Sequence, residues 1–248
     1  MIYKLIIAYD GTAYAGWQQQ AHVPSVLGTI EKTFARVCNV PAQFLGASRT
    51  DAGVHALGQV VRCITPLSID PNKLVWVLNN SLPIDIHIRS AALVSDTFHP
   101  MHNVDHKIYY YHIYTQRPLP FCALYGWYYR TPIDSKKLEE ALQIFVGTHD
   151  FNAFYCAEDK RTDTIRTIDA ISVHYIKRFN AYRITVKGHS FLRHMIRRIV
   201  GAAVHVASNS DFQVNLIKQV LLAKNPQHAL LNAPAEGLLL YRITYTNG

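Results

Sequence analysis

Two hydrophobic periods alternate along this chain in one fixed order, and that order occurs twice. A period of two marks strands and a period near 3.6 marks helices. Residues 2–9 alternate as a strand, and Asp10-Gly11-Thr12 follows as a turn. Ser25 can cap a helix whose apolar face is Leu27, Ile30, Phe34 and Val37. Residues 42–47 and 58–64 read as strands. Asp70-Pro71 opens a second helix running to about Asn80, because proline suits the first helical position. Residues 85–94 alternate again, which completes β-α-β-β-α-β. The second series has a strand at Lys107–Thr115 and a short strand within 125–130. A helix follows from Asp134, with Leu138, Ala141, Leu142 and Phe145 inward and Gly147 as its stop. A hairpin over 165–175 and 181–187 turns at Lys177–Asn180. A helix then covers about 190–206, Asp211 caps another, and Leu238–Tyr245 closes as a strand. The order predicts an α+β protein of two ferredoxin-like halves, with antiparallel sheets packed around a central cleft. The boundary falls near residue 105, giving domains 1–105 and 106–248. No Ser/Gly/Pro-rich linker marks it, so rigid packing of the halves is expected.

Charge separates these halves. The first 105 residues hold seven Lys/Arg and seven Asp/Glu, whereas the remainder holds 18 and 10, and so carries the whole net charge of +8. A basic half suits a polyanionic partner, although it also suits plain solubility. With 49% apolar and 17% charged residues, wholesale disorder is excluded. No apolar run approaches the roughly 18 residues that span a bilayer. The N-terminus reads as a strand and not as a signal peptide. A cytoplasmic protein without a membrane segment is the expectation. Cys38, Cys63, Cys122 and Cys156 form no C-x-x-C pair, so they read as buried thiols and not as zinc ligands.

The most unusual stretch is Gly46-Ala47-Ser48-Arg49-Thr50-Asp51-Ala52-Gly53-Val54-His55-Ala56. It is longer than a hairpin needs, and its small residues let backbone approach a ligand closely. Asp51 sits two residues from Arg49. A nearby cation favours the charged carboxylate, which suits a nucleophile or a charge stabiliser better than a proton donor. The plain alternative is an aspartate in a surface turn. The chain supplies its own control, because Arg161-Thr162-Asp163 repeats the tripeptide in an unrelated polar run. The tripeptide is therefore weak evidence, and the eleven-residue context is the signal.

Two further stretches stand out. In Lys107-Ile108-Tyr109-Tyr110-Tyr111-His112-Ile113-Tyr114, strand alternation puts Tyr109, Tyr111 and Ile113 on one face and Tyr110, His112 and Tyr114 on the other. Such faces can stack unpaired bases, or simply pack a core. In the helix near 190–206, Phe191, Leu192, Met195, Ile196, Ile199, Val200 and Ala203 fill one side, and Arg193, His194, Arg197 and Arg198 the other. No acid within that helix can pair with these arginines, so they are available to phosphates or a buried carboxylate, or to solvent. His99, His102 and His106 lie close in sequence but beside Pro100, off any helix face, so a metal site is not expected. There is no phosphate-loop, dinucleotide or nucleophile-elbow motif.

Taken in order, these stretches resemble the tRNA pseudouridine synthase A family over nearly the whole chain. The resemblance runs through Tyr9-Asp10-Gly11-Thr12, Gly16-Trp17-Gln18-x-Gln20, Arg49 to Ala56, Phe98-His99 and Tyr109-x-Tyr111. It continues through Gly147-x-His149-Asp150-Phe151, Ile165-Arg166-Thr167-Ile168, Phe191-Leu192-x-His194-Met195-Ile196-Arg197 and Ala233-Pro234-Ala235-x-Gly237-Leu238. It implies isomerisation of uridine to pseudouridine in the anticodon arm of tRNA, at about positions 38 to 40, without cofactor or metal, by a homodimer. It implies Asp51 as nucleophile, by attack on C1′ or by assisting glycal formation. Arg197 then pairs with the aspartate, Tyr109 contacts the target base, and Arg49 fills the vacated space or braces the flipped nucleotide. Flipping costs a few kcal/mol. Two positions depart from the family pattern: Met101, where a basic residue is common, and Arg198, where asparagine is usual. Two other readings compete. A non-catalytic RNA-binding module would lack a need for the Asp51 loop. A glycosidase would want two opposed carboxylates.

Overall fold

The structure is a computed structural model that describes residues 1–156, 163–225 and 230–246. It is a mixed α+β fold that divides into two compact units, Met1–Asp105 with Leu239–Gly248, and His106–Leu238.

The first unit contains β1 (Ile2–Tyr9), α1 (Val26–Cys38), β2 (Gln43–Gly46), β3 (His55–Ile64), α2 (Pro71–Asn79) and β4 (Ile86–Leu93). These strands pair antiparallel in the spatial order β4-β1-β3-β2. The period of two on β1 buries Tyr3, Leu5, Ile7 and Tyr9. With Ile30 and Phe34 of α1 and Leu74 and Leu78 of α2 they form the unit's core. Each such fully buried aliphatic side chain contributes roughly 1.5–3 kcal/mol. Both helices start where the caps dictate. Ser25 Oγ accepts the Gly28 amide at 3.2 Å, and Asp70 Oδ1 accepts those of Asn72 and Lys73 at 2.9 and 3.1 Å. Helix α1 ends at Asn39, whose left-handed backbone (φ 52°) turns the chain away.

The second unit contains β5 (Val104–Tyr114), β6 (Trp127–Tyr128), α3 (Ser135–Gln143), β7 (Gly147–Asp150), β8 (Ile165–Ile176), β9 (Ala181–Gly188), α4 (Met195–Ala207) and α5 (Asn215–Ala223). Strands β5, β9, β8 and β7 pair antiparallel in that order, and β6 runs parallel to β5. Asp134 caps α3 through the amides of Lys136 and Lys137. Phe145, Phe151 and Phe154 are fully buried, with Phe145 edge-on to Phe154 at 4.9 Å.

The closing strand, β10 (Leu238–Tyr245), pairs parallel with β3, Leu239 opposite His55, and from Leu239 on the chain groups with the first unit. Its alternation marks a strand but says nothing of the partner. The expected helix over 190–206 begins only at Met195, because His194 takes a left-handed conformation (φ 64°) that no helix continues through. Arg193 and His194 therefore precede the helix. Asp211 does not cap α5, which begins behind Val214 without a side-chain cap. Gly147, with φ 103°, is not the stop of α3, which ends at Ile144; it opens the unforeseen strand β7.

Candidate active site

Asp51 lies in the first unit, in the loop that joins β2 to β3, and is half-buried. That loop is tied down residue by residue. Ala47 N donates to Val60 O (2.8 Å), Trp17 N to Thr50 O (3.1 Å), and Val54 N to Asp51 O (3.2 Å). Gly53 N reaches Tyr14 O at 3.4 Å. The fully buried Gln59 takes both polar groups of Ser48: its Oε1 accepts the amide at 3.2 Å and its Nε2 donates to the carbonyl at 2.5 Å. The Tyr9 and Thr50 hydroxyls share a buried bond of 2.8 Å. Buried polar groups that lose such partners cost about 1–3 kcal/mol each, so the loop is held in one conformation.

Glycines let the early motifs press against this loop. Gly16 has φ 101°, and a Cβ there would come within 2.7 Å of Thr50 O and 3.1 Å of the Asp51 carbonyl carbon. A side chain at Gly11 would strike the Val54 carbonyl, and one at Gly46 would strike the Trp17 indole. The Gly11 amide also donates to Nδ1 of the buried His55 at 3.1 Å. The Tyr-Asp-Gly-Thr and Gly-Trp segments are thus the bed on which the aspartate loop lies. Tyr14 belongs to the same bed. Its hydroxyl donates to Asp85 Oδ1 at 2.7 Å, and burial together with that carboxylate raises its pKa above the ordinary phenol value. Arg49 is exposed.

Tyr109 and Arg197 belong to the second unit. Tyr109 is buried on β5, edge-on to Phe191 at 5.3 Å. Tyr111, one alternation further, is wholly buried, and its hydroxyl donates to Pro234 O at 2.8 Å. Tyr111 and Ile113 on this face of β5 are packed in the core. On the opposite face Tyr110 carries the Arg183 guanidinium at 4.7 Å, and Arg183 Nε donates to His112 Nε2 at 3.1 Å. Arg197 is half-buried on α4; its Nε donates to Ala233 O (2.8 Å), and its own carbonyl accepts the Ala233 amide (3.1 Å). Tyr111 and Arg197 thus grip adjacent residues of one segment. Gly237 ends that segment, where any side chain would enter the Tyr111 ring. The Ala-Pro-Ala-x-Gly motif is in this way a brace for the tyrosine strand and the arginine helix. Burial, with Glu236 nearby, raises the Tyr111 pKa well above the phenol value, and Arg197 opposes this. Burial pushes the Lys107 ammonium, on the Tyr109 face of β5, down to about 8.

The remaining predicted positions fall as follows. Met101 is exposed, and Arg198 is half-buried with Nη1 3.5 Å from Ala153 O. Arg161 and Thr162 of the repeated tripeptide lie outside the described residues, whereas Asp163 is 74% exposed at its side chain. His99 and His102 stack at 3.9 Å, and among the described residues no group of three His, Cys, Asp or Glu could hold a metal ion. The four cysteines are free. Among the described residues no helix is long and apolar enough to cross a membrane. Sequence reasoning missed Gln59 as a loop anchor. Its signal was present: a lone amide in the otherwise apolar strand Gly58-Gln59-Val60-Val61.

The chain is similar to known proteins over nearly its whole length. The profile of the family described as tRNA pseudouridine synthase matches residues 5–101 and 141–246. The chain is 36% identical over 244 residues to tRNA pseudouridine synthase A of Pseudothermotoga lettingae, covering 98% of this chain and 99% of that one. It is 37% identical over 250 residues to tRNA pseudouridine synthase A 1 of Protochlamydia amoebophila (99% and 96% covered). It is 38% identical over 245 residues to the Streptococcus gordonii tRNA pseudouridine synthase A (98% of each). A match of this extent, running through the aspartate loop and both of its supporting segments, places the chain in the tRNA pseudouridine synthase family.

Proposed function

We propose that this protein is an isomerase that converts uridine to pseudouridine in the anticodon arm of tRNA, at about positions 38 to 40, with Asp51 as nucleophile. The reaction balances within the substrate. The N1–C1′ bond breaks, the base turns, C5 joins C1′, and the hydrogen on C5 leaves as N1 gains one. No cofactor is consumed. A single carboxylate suffices, either by bonding to C1′ or by assisting loss of the C2′ hydrogen toward a glycal. The observation that carries the reading is the anchoring of the Asp51 loop. Seven hydrogen bonds and three glycine contacts fix a short acid-bearing loop that no binding module needs. Tyr109, Arg197 and Arg49 take the roles the family resemblance gives them.

The antiparallel order β4-β1-β3-β2 in the first unit supports a ferredoxin-like reading of that unit, extended by β10. A homodimer acting in the cytoplasm completes the proposal. The exposed apolar cluster Leu119, Phe121, Leu124 and Tyr125 supports self-association. Light scattering of the wild type at micromolar concentration should give twice the chain mass; a monomer there removes the dimer from the proposal. The activity test is tritium release from tRNA carrying 5-tritiated uridine. Folded protein should release label from the anticodon arm of unmodified transcripts. No release from any tRNA would overturn the assignment, and release confined to another arm would overturn the site.

A further inference from the structure

The first unit carries a second basic feature that the Asp51 chemistry does not use. Four strands meet in a pocket of about 360 Å³ lined by Ala8, Leu57, His87, Arg89, Tyr241 and Arg242. Ala8 and Leu57 supply small and apolar surface. The rest is two guanidiniums, an imidazole and a phenol ring, with no carboxylate in the lining. The sequence places them there for a local reason. Strand β4 pairs with β1 through a bulge at Ile6/Ile7, and the extra residue is Arg89. A bulge re-aims the side chain it carries, and here Arg89 and Ser90 are both exposed in succession. Arg89 Nη1 donates to Leu57 O at 2.8 Å, which fixes the guanidinium plane with one of its five donors. Arg242 Cζ lies 5.3 Å from the Tyr241 ring centroid, within cation–π range. The pocket also neighbours the reactive loop along the chain. Ala8 precedes Asp10 by two residues, and Leu57 follows His55 by two.

Two guanidiniums, one held by the Leu57 carbonyl, with no acid in the lining suit the planar, bidentate geometry of a phosphate. A phenol ring and an apolar floor beside them match a nucleoside attached to that phosphate. We propose that this pocket is a phosphodiester subsite for the RNA strand, with Arg89 and Arg242 on the backbone phosphate and Tyr241 against the adjoining nucleoside. The inference rests on the reading of the chain as a tRNA-acting enzyme and adds to it a contact away from the reacting uridine.

The test measures tRNA binding by full-length protein as log Kd against log salt, alongside tritium release under saturating tRNA. Arg89→Gln and Arg242→Gln should each weaken binding by about three- to tenfold at 0.1 M salt and reduce the slope by roughly 0.7–0.9, one phosphate contact apiece. Their single-turnover rate at saturation should stay within about twofold of wild type, because neither touches the reacting atoms. Arg89→Lys should recover most of the slope, and Arg178→Gln on the β8–β9 turn, outside the pocket lining, should change nothing. Wild-type slope and affinity in both glutamine variants would overturn the proposal. So would unchanged tRNA binding with lost affinity for poly-glutamate, which would make the pocket a site for acidic protein segments. Failure of the wild type to release tritium, with the slope changes intact, would overturn the isomerase reading and leave this subsite standing.

Discussion

The chain contains the tripeptide Arg-Thr-Asp twice, at Arg49-Thr50-Asp51 and Arg161-Thr162-Asp163, and the two aspartates have opposite surroundings. Asp163 is largely in solvent. Its carboxylate accepts the Ile165 amide at 3.1 Å and meets Arg166 at 3.3 Å, three residues on. Ion pairs so exposed are worth little. Asp51 is half-buried, and the backbone on both sides of it is bonded to Trp17, Tyr14, Val60 and Gln59, residues distant in sequence or on the next strand. The same tripeptide sequence therefore leaves one aspartate in solvent and the other half-buried in a fixed loop. Anchoring separates them, and the role proposed for Asp51 requires it. A misplacement of about 1 Å can cost 10²-fold in rate.

Substitution of Gly16 should break the contrast most severely. Gly16→Ala combines an unfavourable φ with contact on the Thr50–Asp51 backbone. Turnover should fall by about 100-fold, while tRNA affinity, measured by filter binding, changes by less than about threefold. Gln59→Leu comes next. It leaves the Ser48 amide and carbonyl buried without their partner, a loss of roughly 2 kcal/mol that lowers Tm by about 5 °C in a thermal melt. A smaller effect is expected from Lys107. Burial lowers its pKa to about 8, below its unfolded value near 10.4, so the unfolded chain binds the extra proton. Stability should therefore rise as pH goes from about 8 to about 10, and Lys107→Met should remove that rise in denaturant titrations. Asp163→Asn should have the least effect, with Tm and tritium release unchanged.

Much of this was legible in the sequence, for identifiable reasons. Strands and helices with a clean period declared themselves, as did Ser25, Asp70 and Asp134 as caps, because a helix start is decided within four residues. Strand β7 did not, since Gly147-Thr148-His149-Asp150 has no apolar alternation and exists through its pairing with β8. The pairing of β10 with β3 is likewise a distant contact that no local pattern encodes. The late start of α4 depends on one left-handed residue, His194, invisible to a wheel that counts Arg193 as helical. For the candidate site, the unusual composition around Asp51 was visible. Its anchoring was not, because Tyr9, Tyr14, Gly16 and Gln59 reach the loop from other segments or from the next strand. The same holds for Tyr111 and Arg197. Their shared grip on Ala233 and Pro234 spans more than 30 residues in one case and more than 100 in the other.

The most direct test pairs the two aspartates in one assay. Asp51→Asn, nearly isosteric and compatible with the loop's backbone bonds, should bind tRNA like wild type and release no tritium from 5-tritiated uridine. Asp51→Asn turning over at the wild-type rate would contradict the account at its centre, because the anchored loop would then hold nothing the reaction needs.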